Sequence, residues 1–242
     1  MNRLQDALLY LNDPLNWTRT NGILDLLGEH LRISALAVLA ALVVAVPAGA
    51  VLGHTGRGGG FTVALSNVSR AVPTLALLTL FAVTPIGFGP QATTIALAVF
   101  AVPPILTNTF VGFRGVDRDV VEAARAMGMD GRQVLLRAEL PLAMPLVMTG
   151  VRTAAVQVVA TTTLAALVAG GGLGRIITLG FRQQDYGAVL AGASLVAVLA
   201  VLTEVVLAAV SWAVTPGAKQ LPFLHVRRSG TGQVPAAVEP AL

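Results

Sequence analysis

Five long apolar runs divide this chain of 242 residues, and no other feature constrains its fold as strongly. A helix needs about 20 apolar residues to cross the hydrocarbon core of a bilayer, and each run is close to that length. Hydrophobic residues make up 55% of the chain and charged residues only 12%, which excludes an ordinary soluble protein. The sequence therefore predicts an all-α, polytopic membrane protein with five transmembrane helices. The predicted spans are residues 33–52, 62–83, 92–111, 146–168 and 188–214.

Polar residues and a proline interrupt the second predicted span. Arg70 and Pro73 follow a patch formed by Ser66, Asn67 and Ser69. Proline removes a backbone hydrogen bond, and a charge at this depth must face protein or water. We therefore expect a broken or late-entering helix here.

The five spans are expected to form one transmembrane domain, residues 33–214. Residues 1–32 contain several acidic side chains and are too polar to span. They are predicted to form an amphipathic, interfacial segment that is broken at Pro14 and anchored at headgroup level by Trp17. Residues 215–242 are predicted to be a tail that is partly disordered.

Two groups of glycines each predict a local structural feature. Gly49 and Gly53, four residues apart in the first span, are predicted to allow close helix packing within this chain. The cluster at residues 170–174 lacks the lysine and hydroxyl of a phosphate-binding loop. It is expected to begin a flexible loop that continues through Asp185.

A polar island, residues 114–145, lies between the third and fourth spans and holds five arginines and five acidic residues. The pattern predicts two short helices joined by a turn. On the first helix, four apolar residues at positions i, i+3, i+4 and i+7 form one stripe. Gly128 follows as a residue that can adopt positive φ and end the helix. The stripe consists of Val120, Ala123, Ala124 and Met127, and Glu122 lies beside it.

The second short helix has boundary signals of its own. Asp130 and Gln133 have the spacing of a capping box, and Pro141 is expected to end the helix. The two helices together cover residues 117–140. Because the stripe on the first helix is small-sided, the island is suited to docking in a groove of a peripheral protein.

Lysine and arginine counts predict the orientation in the membrane. Nine of these residues lie in the loops on the side of the island and in the tail, and five lie on the other side. The positive-inside rule places the more basic side in the cytoplasm. The N-terminus is therefore predicted to lie outside and the C-terminus inside.

No catalytic constellation is found in the sequence. His30, His54 and His225 are isolated and interpreted as interfacial, so no metal site is predicted, and no phosphate-binding loop motif occurs. A transporter of this sequence that uses ATP needs another chain to bind the ATP. Nucleic acid is excluded as a partner because the charges of the island sum to zero, whereas phosphate binding needs a basic excess.

Polar residues within the spans are candidates for a translocation path. Two alternatives remain open for them, because polar side chains in spans also bond between helices or back to their own helix. A pair between Arg152 and Glu204 is one possibility. The candidates are Arg70, Pro73, Arg152, Gln157, Thr161 and Glu204.

The polar island resembles the EAA motif of ABC importer permeases. Its matching residues are Glu-Ala-Ala at 122–124, Gly128 and Leu-Pro at 140–141. The resemblance extends from about residue 31 to residue 213 and is strongest to the glycine betaine, carnitine and choline permeases. The segments that carry it are residues 72–77, 112–117, 122–129, 139–143, 150–154 and 169–174.

This resemblance implies the transmembrane subunit of a type I ABC importer in the bacterial inner membrane. The first helix of the island would be the coupling helix, docking through residues 122–124 and Gly128. The implied partners are two copies of an ATP-binding subunit, a second permease that is identical or homologous, and an extracytoplasmic solute-binding protein. ATP and Mg would act on the partner subunit, and this chain would bind no cofactor.

Other functions remain open from the residues alone. A permease for another small polar solute, such as an amino acid, has the same architecture. An ion-coupled secondary transporter would need acidic residues near the middle of the membrane, and Glu204 is the sole candidate. A membrane scaffold or an intramembrane enzyme is a further alternative.

Overall fold

The structure, a computed structural model, describes residues 3–215, and every regular element in that range is helical. This confirms the predicted all-α fold. His225 and most of the predicted tail lie outside the described residues, as does the side chain of Arg70.

Among residues 3–215, eleven helices are numbered in chain order. Two irregular segments adjoin α9: a π-helical segment, Val134–Glu139, precedes it, and a 3-10 segment, Thr163–Val168, follows it. The helices are α1 Arg3–Asn12, α2 Pro14–Thr18, α3 Ile23–Thr55, α4 Gly59–Ala71, α5 Thr74–Ala82, α6 Pro90–Arg114, α7 Arg118–Ala126, α8 Gly131–Gln133, α9 Leu140–Thr162, α10 Gly174–Gln183 and α11 Tyr186–Val214.

Four of the described helices, α3, α6, α9 and α11, are long and apolar enough to cross a bilayer. The pair α4 and α5 supplies a fifth span when it is counted as one, which agrees with the five predicted. These two helices meet at an angle of 87°. The break falls at Val72 and Pro73, which have extended backbone, so the predicted broken helix is confirmed.

Helix α6 lies at the centre of the bundle, in contact with α3, α9, α4 and α5. Ala37, Ala41 and Ala45 of α3 recur every four residues and pack into the main core with Ala101 and Ile105 of α6. Alanines on one face of α3 allow the two backbones to approach closely. In lipid this matters because packing, rather than water exclusion, holds helices together.

The predicted glycine contact lies at one end of the same interface and is confirmed. A Cβ added at Gly49 would lie 2.8 Å from the carbonyl oxygen of Leu106, and one at Gly53 would lie 2.6 Å from Cβ of Phe113. Neither position has space for a side chain. Both contacts are between α3 and α6 of this chain.

The first span differs from the prediction at its N-terminal boundary. Helix α3 begins at Ile23, ten residues before the predicted start at residue 33, and runs for 33 residues. Trp17 packs against the cluster that contains Ile23 and Leu26, and its indole N–H donates to the carbonyl oxygen of Leu11 at 2.7 Å. The predicted break at Pro14 is present. The N-terminal helices therefore pack on the bundle, with α1 against α11.

The expected loop through Asp185 is wrong, because α10 occupies most of it. Gly180 of α10 lies against Val189 of α11, and Gly192 of α11 lies against Ile176 and Ile177. Glycine on each partner permits the short helix to lie flat on α11. Ile176 of this helix packs in the same cluster as Ala188 and Val196 of α11.

The expectation that Pro141 ends the second short helix is also wrong. The chain continues without a break from α8 through the π-helical segment into α9, where Pro141 lies in the first turn. Pro141 directly follows the π-helical segment, where the hydrogen-bond register of this continuous helix changes, so its missing N–H falls at a turn that is already irregular. The polar island is therefore joined rigidly to the fourth span.

We predict that Gly53→Ala destabilises the bundle by about 1–3 kcal/mol, because the added methyl overlaps the backbone and side chains of α6. Gly28→Ala is the matched control on the same helix, since nothing lies within 4 Å of its added Cβ. It should be neutral or stabilise by up to about 1 kcal/mol through helix propensity. Thermal unfolding in detergent measures both. Equal stability of the two variants would contradict the assigned contact.

Candidate docking surface and polar cavity

Helix α7 has a defined start and a defined end. Asp117 caps its N-terminus, where Oδ1 accepts from the backbone N–H of Asp119 at 3.0 Å. At the other end the N–H of Gly128 donates to Arg125 and that of Met129 donates to Ala124, the two bonds of a Schellman motif. Gly128 has φ +85°, as predicted for a residue that ends the helix.

The residues of the predicted stripe lie on two different sides of α7. Val121 and Ala124 are each 3% exposed and pack on Val116 and Val134 in a small core under the helix. Ala124 therefore faces its own chain, contrary to the expectation that it docks on the surface. Val121 was not part of the predicted stripe. The buried side of α7 is therefore not the side that the spacing of the apolar residues predicted.

The outward side of α7 is an open surface, here called the docking face. Val120 is 42% exposed and Met127 73% exposed, and Ala123 and Glu122 are exposed beside them. Gly128 adjoins the docking face, and no atom lies within 4 Å of a Cβ added there. The docking role of these residues remains a prediction.

The turn after α7 is held by the predicted capping box, which is confirmed. Oδ1 of Asp130 accepts from the N–H of Gln133 at 2.7 Å, and Oε1 of Gln133 accepts from the N–H of Asp130 at 3.0 Å. Beyond it, Val134 and Ala138 of the π-helical segment pack on α7. Helix α7 and this segment thus form one packed unit.

Glu139 ends the π-helical segment and is only 2% exposed. Its Oε2 accepts from Nδ1 of His54, in the last turn of α3, at 2.6 Å. The interpretation of His54 as an isolated interfacial residue is therefore wrong. Neither residue was among the predicted site residues, because 85 positions separate them.

At the opposite end of α3, a buried histidine holds the glycine cluster. His30 is fully buried, its Nε2 donates to the carbonyl oxygen of Val159 at 2.9 Å, and its Nδ1 accepts from the N–H of Leu173 at 3.3 Å. Glu29 accepts from the N–H of Gly172 at 2.9 Å. His30 is thus a core residue rather than an interfacial one.

A polar cavity of about 460 Å³ lies beside the break between α4 and α5. Its walls come from both sides of the break and from α6 and α9. Carbonyl and hydroxyl oxygens and two amides are the polar groups available, and no charged side chain belongs to its described lining. The polar lining residues are Ser66, Ser69, Thr74, Thr107, Asn108, Thr153 and Gln157.

The structure brings only part of the predicted path to this cavity. Pro73 and Gln157 line it, whereas Arg152, Thr161 and Glu204 do not. The Thr161 hydroxyl donates to the carbonyl oxygen of Gln157 at 2.7 Å, which is the back-bonding alternative. The translocation role of all these residues remains a prediction.

Sequence reasoning missed Thr107 and Asn108 in the third span. Asn108 Nδ2 donates to the carbonyl oxygen of Pro104 at 2.8 Å, and Oγ1 of Thr107 is buried without a hydrogen-bond partner among residues 3–215. Two adjacent polar residues within an apolar span were the available signal. Thr107 and Asn108 lie one turn after Pro104, and all three residues line the cavity.

Arg152 of α9 and Glu204 of α11 form the ion pair that the sequence left open, with Nη2 donating to Oε1. Their side chains are 32% and 45% exposed on the outside of the bundle. Nε of Arg152 is buried and has no partner among the described residues. Pairing lowers the cost of placing each charge within a membrane span.

Comparison with known proteins identifies the family. Residues 35–215 match the family described as the inner membrane component of binding-protein-dependent transport systems. The chain belongs to this family. It is accordingly a multi-pass protein of the bacterial inner membrane and a permease component of a transport system.

Relatives in the family match most of this chain. It is 36% identical over 208 residues to the glycine betaine/carnitine/choline transport system permease protein OpuCB of Bacillus subtilis, covering 85% of this chain and 95% of that one. The carnitine transport permease protein OpuCB of Listeria monocytogenes is 38% identical over 190 residues, 78% of this chain and 87% of its own. The osmoprotectant import permease protein OsmY of Salmonella typhimurium is 32% identical over 182 residues, 74% of this chain and 77% of its own.

The fold has a match among solved structures. A chain of the MetNI methionine ABC transporter, in an inward-facing conformation, superposes with a TM-score of 0.70 at 23% identity. The match covers 84% of this chain and 99% of that chain. At this identity the likeness concerns the fold, and it confirms the type I ABC importer permease architecture that the EAA motif implied.

We predict that Glu204→Leu destabilises the protein by about 3 kcal/mol, because Arg152 is left as an unpaired charge in the membrane. The double variant Arg152→Leu/Glu204→Leu is the matched control and should recover most of that loss. Thermal unfolding of the detergent-purified protein measures both. A double variant no more stable than Glu204→Leu alone would show that the ion pair is not the cause.

Proposed function

We propose that this chain is the permease subunit of an ATP-driven importer for a small osmoprotectant such as glycine betaine, carnitine, choline or proline. The docking face is the observation that carries the proposal, because it exposes Val120, Ala123 and Met127 beside Glu122 on a helix held at both ends. Such a face fits a groove on another protein. The relatives named for these solutes indicate the substrate class.

The ATP-binding partner is proposed to dock on Val120, Glu122, Ala123, Met127 and Gly128. Ala124 supports this face from below, since it packs in the core under α7. Two copies of the ATP-binding subunit, with ATP and Mg bound to them, would move two such helices, one on each permease. The second permease is either an identical copy or a homologous chain.

The proposed orientation places α7 in the cytoplasm and the glycine cluster at residues 170–174 outside. The arginine and lysine count supports it, because the basic excess lies on the side of α7. In this orientation the extracytoplasmic solute-binding protein would meet the end of the bundle that carries α1, α2 and α10.

The cavity is proposed as part of the solute path, with Pro73 and Gln157 in its wall. Serine, threonine and amide groups offer hydrogen bonds to a carboxylate or hydroxyl without a fixed charge to hold the solute. Phe100 is the sole aromatic residue of its described lining. An aromatic cage that selects a quaternary ammonium group needs several rings, so selectivity is assigned to the solute-binding protein.

An ion-coupled transporter is less well supported. Glu204, the acidic residue such a mechanism would use, is bound to Arg152 on the outside of the bundle. Glu204 does not line the described cavity, so a cation bound to Glu204 would not share the proposed path of the solute.

The test is uptake by the reconstituted complex. We expect the chain to co-purify with an ATP-binding subunit and a second permease. Proteoliposomes that contain this complex and the solute-binding protein should accumulate radiolabelled glycine betaine, carnitine or choline only with ATP inside. Uptake without the ATP-binding subunit would contradict the proposal, and uptake of amino acids other than proline, with none of the named solutes, would correct the substrate class.

Gly128→Asp is expected to abolish solute-stimulated ATP hydrolysis in this complex. The folded chain has space for the side chain, but a carboxylate without a partner in a closed interface costs a few kcal/mol. That corresponds to about a hundredfold loss of docking affinity. Gly128→Asn is the matched control, because it imposes the same positive φ, +85° at this position, on a side chain of the same size without the charge. Normal stimulation in the Gly128→Asp complex would contradict docking at this position.

A further inference from the structure

Glu139 is the most deeply buried acidic side chain among residues 3–215, and its side chain is bonded to His54. Burying a carboxylate costs several kcal/mol unless another group satisfies it. The short bond from Nδ1 of His54, at 2.6 Å, supplies that compensation. A bond of this kind holds two elements at a fixed distance and orientation, which apolar packing alone does not do.

The segment that carries Glu139 is joined to the docking helix. Val134 and Ala138 pack on α7, and the chain runs from α8 through the π-helical segment without a break. In the π-helical turn the N–H of Leu140 donates to the carbonyl oxygen of Leu135, five residues back. Such turns are uncommon and occur often at functional sites. Any displacement of α7 therefore displaces Glu139.

His54 lies at the end of α3, the longest described helix and the one packed along α6. At its other end, α3 contacts the glycine cluster through Glu29 and His30. A helix of 33 residues fixed at both ends is suited to carry a movement from one face of the membrane to the other. His54 is the point where α3 receives it.

We propose that His54 and Glu139 are positioning residues that transmit the movement of the docking helix into α3. Through this link, ATP turnover on the partner subunit stays coupled to opening and closing of the solute path. The inference rests on the proposed function, because it requires a partner that moves α7.

The experiment measures the number of solute molecules imported per ATP hydrolysed by the reconstituted complex. Glu139→Leu and His54→Leu each remove the bond and should lower this ratio about tenfold, the change that corresponds to losing one charged hydrogen bond. Glu139→Gln and His54→Asn are conservative controls. Each retains a group that can accept or donate at the same position, and each should keep most of the coupling.

The double variant His54→Leu/Glu139→Leu separates transmission from simple stability. It removes the buried charge, so its thermal stability should recover towards the wild type, whereas its coupling ratio should stay low. Recovery of both quantities would overturn the inference and leave the pair a purely structural role. An unchanged ratio in Glu139→Leu would overturn it as well. Lack of ATP-dependent uptake in the wild-type complex would instead contradict the proposed function.

Discussion

The close packing of α3 on α6 is the interaction on which the rest of the bundle depends. In lipid there is little hydrophobic force between helices, so association relies on the number of atoms in contact. Alanines at 37, 41 and 45, followed by Gly49 and Gly53, give α3 a smooth face along most of its length. The other spans then pack around α6, which contacts α3, α9, α4 and α5.

The irregular features of the fold are positioned against the packed pair of α3 and α6. The broken pair α4 and α5 leaves the cavity beside α6. Backbone groups freed at such a break need protein or water rather than lipid around them. Hydrogen bonds to distant segments fix the two ends of α3, at Glu29 and His30 on one side and at His54 on the other. The proposed docking face on α7 and the cavity proposed for the solute path therefore lie on parts of one connected framework.

Local chemistry accounts for the parts that sequence reasoning found. Apolar runs long enough to span, a proline inside the second of them, and the glycine that ends α7 each act within a few residues. The capping box at Asp130 and Gln133 belongs to the same class. Two expectations were wrong: residues 174–183 form a helix that packs on α11, and Pro141 follows the π-helical segment within a continuous helix.

By itself, the sequence determined the number of spans, the break at Pro73 and the limits of the docking helix. The tertiary structure decided which side of α7 is exposed. The helix has enough apolar residues to form more than one apolar face, and the side that packs on Val134 is the one with Val121 and Ala124. It also decided the partners of Glu139, His30 and Arg152. These bonds join residues 85, 129 and 52 positions apart. No local pattern encodes such pairings, because they exist only after the helices have packed.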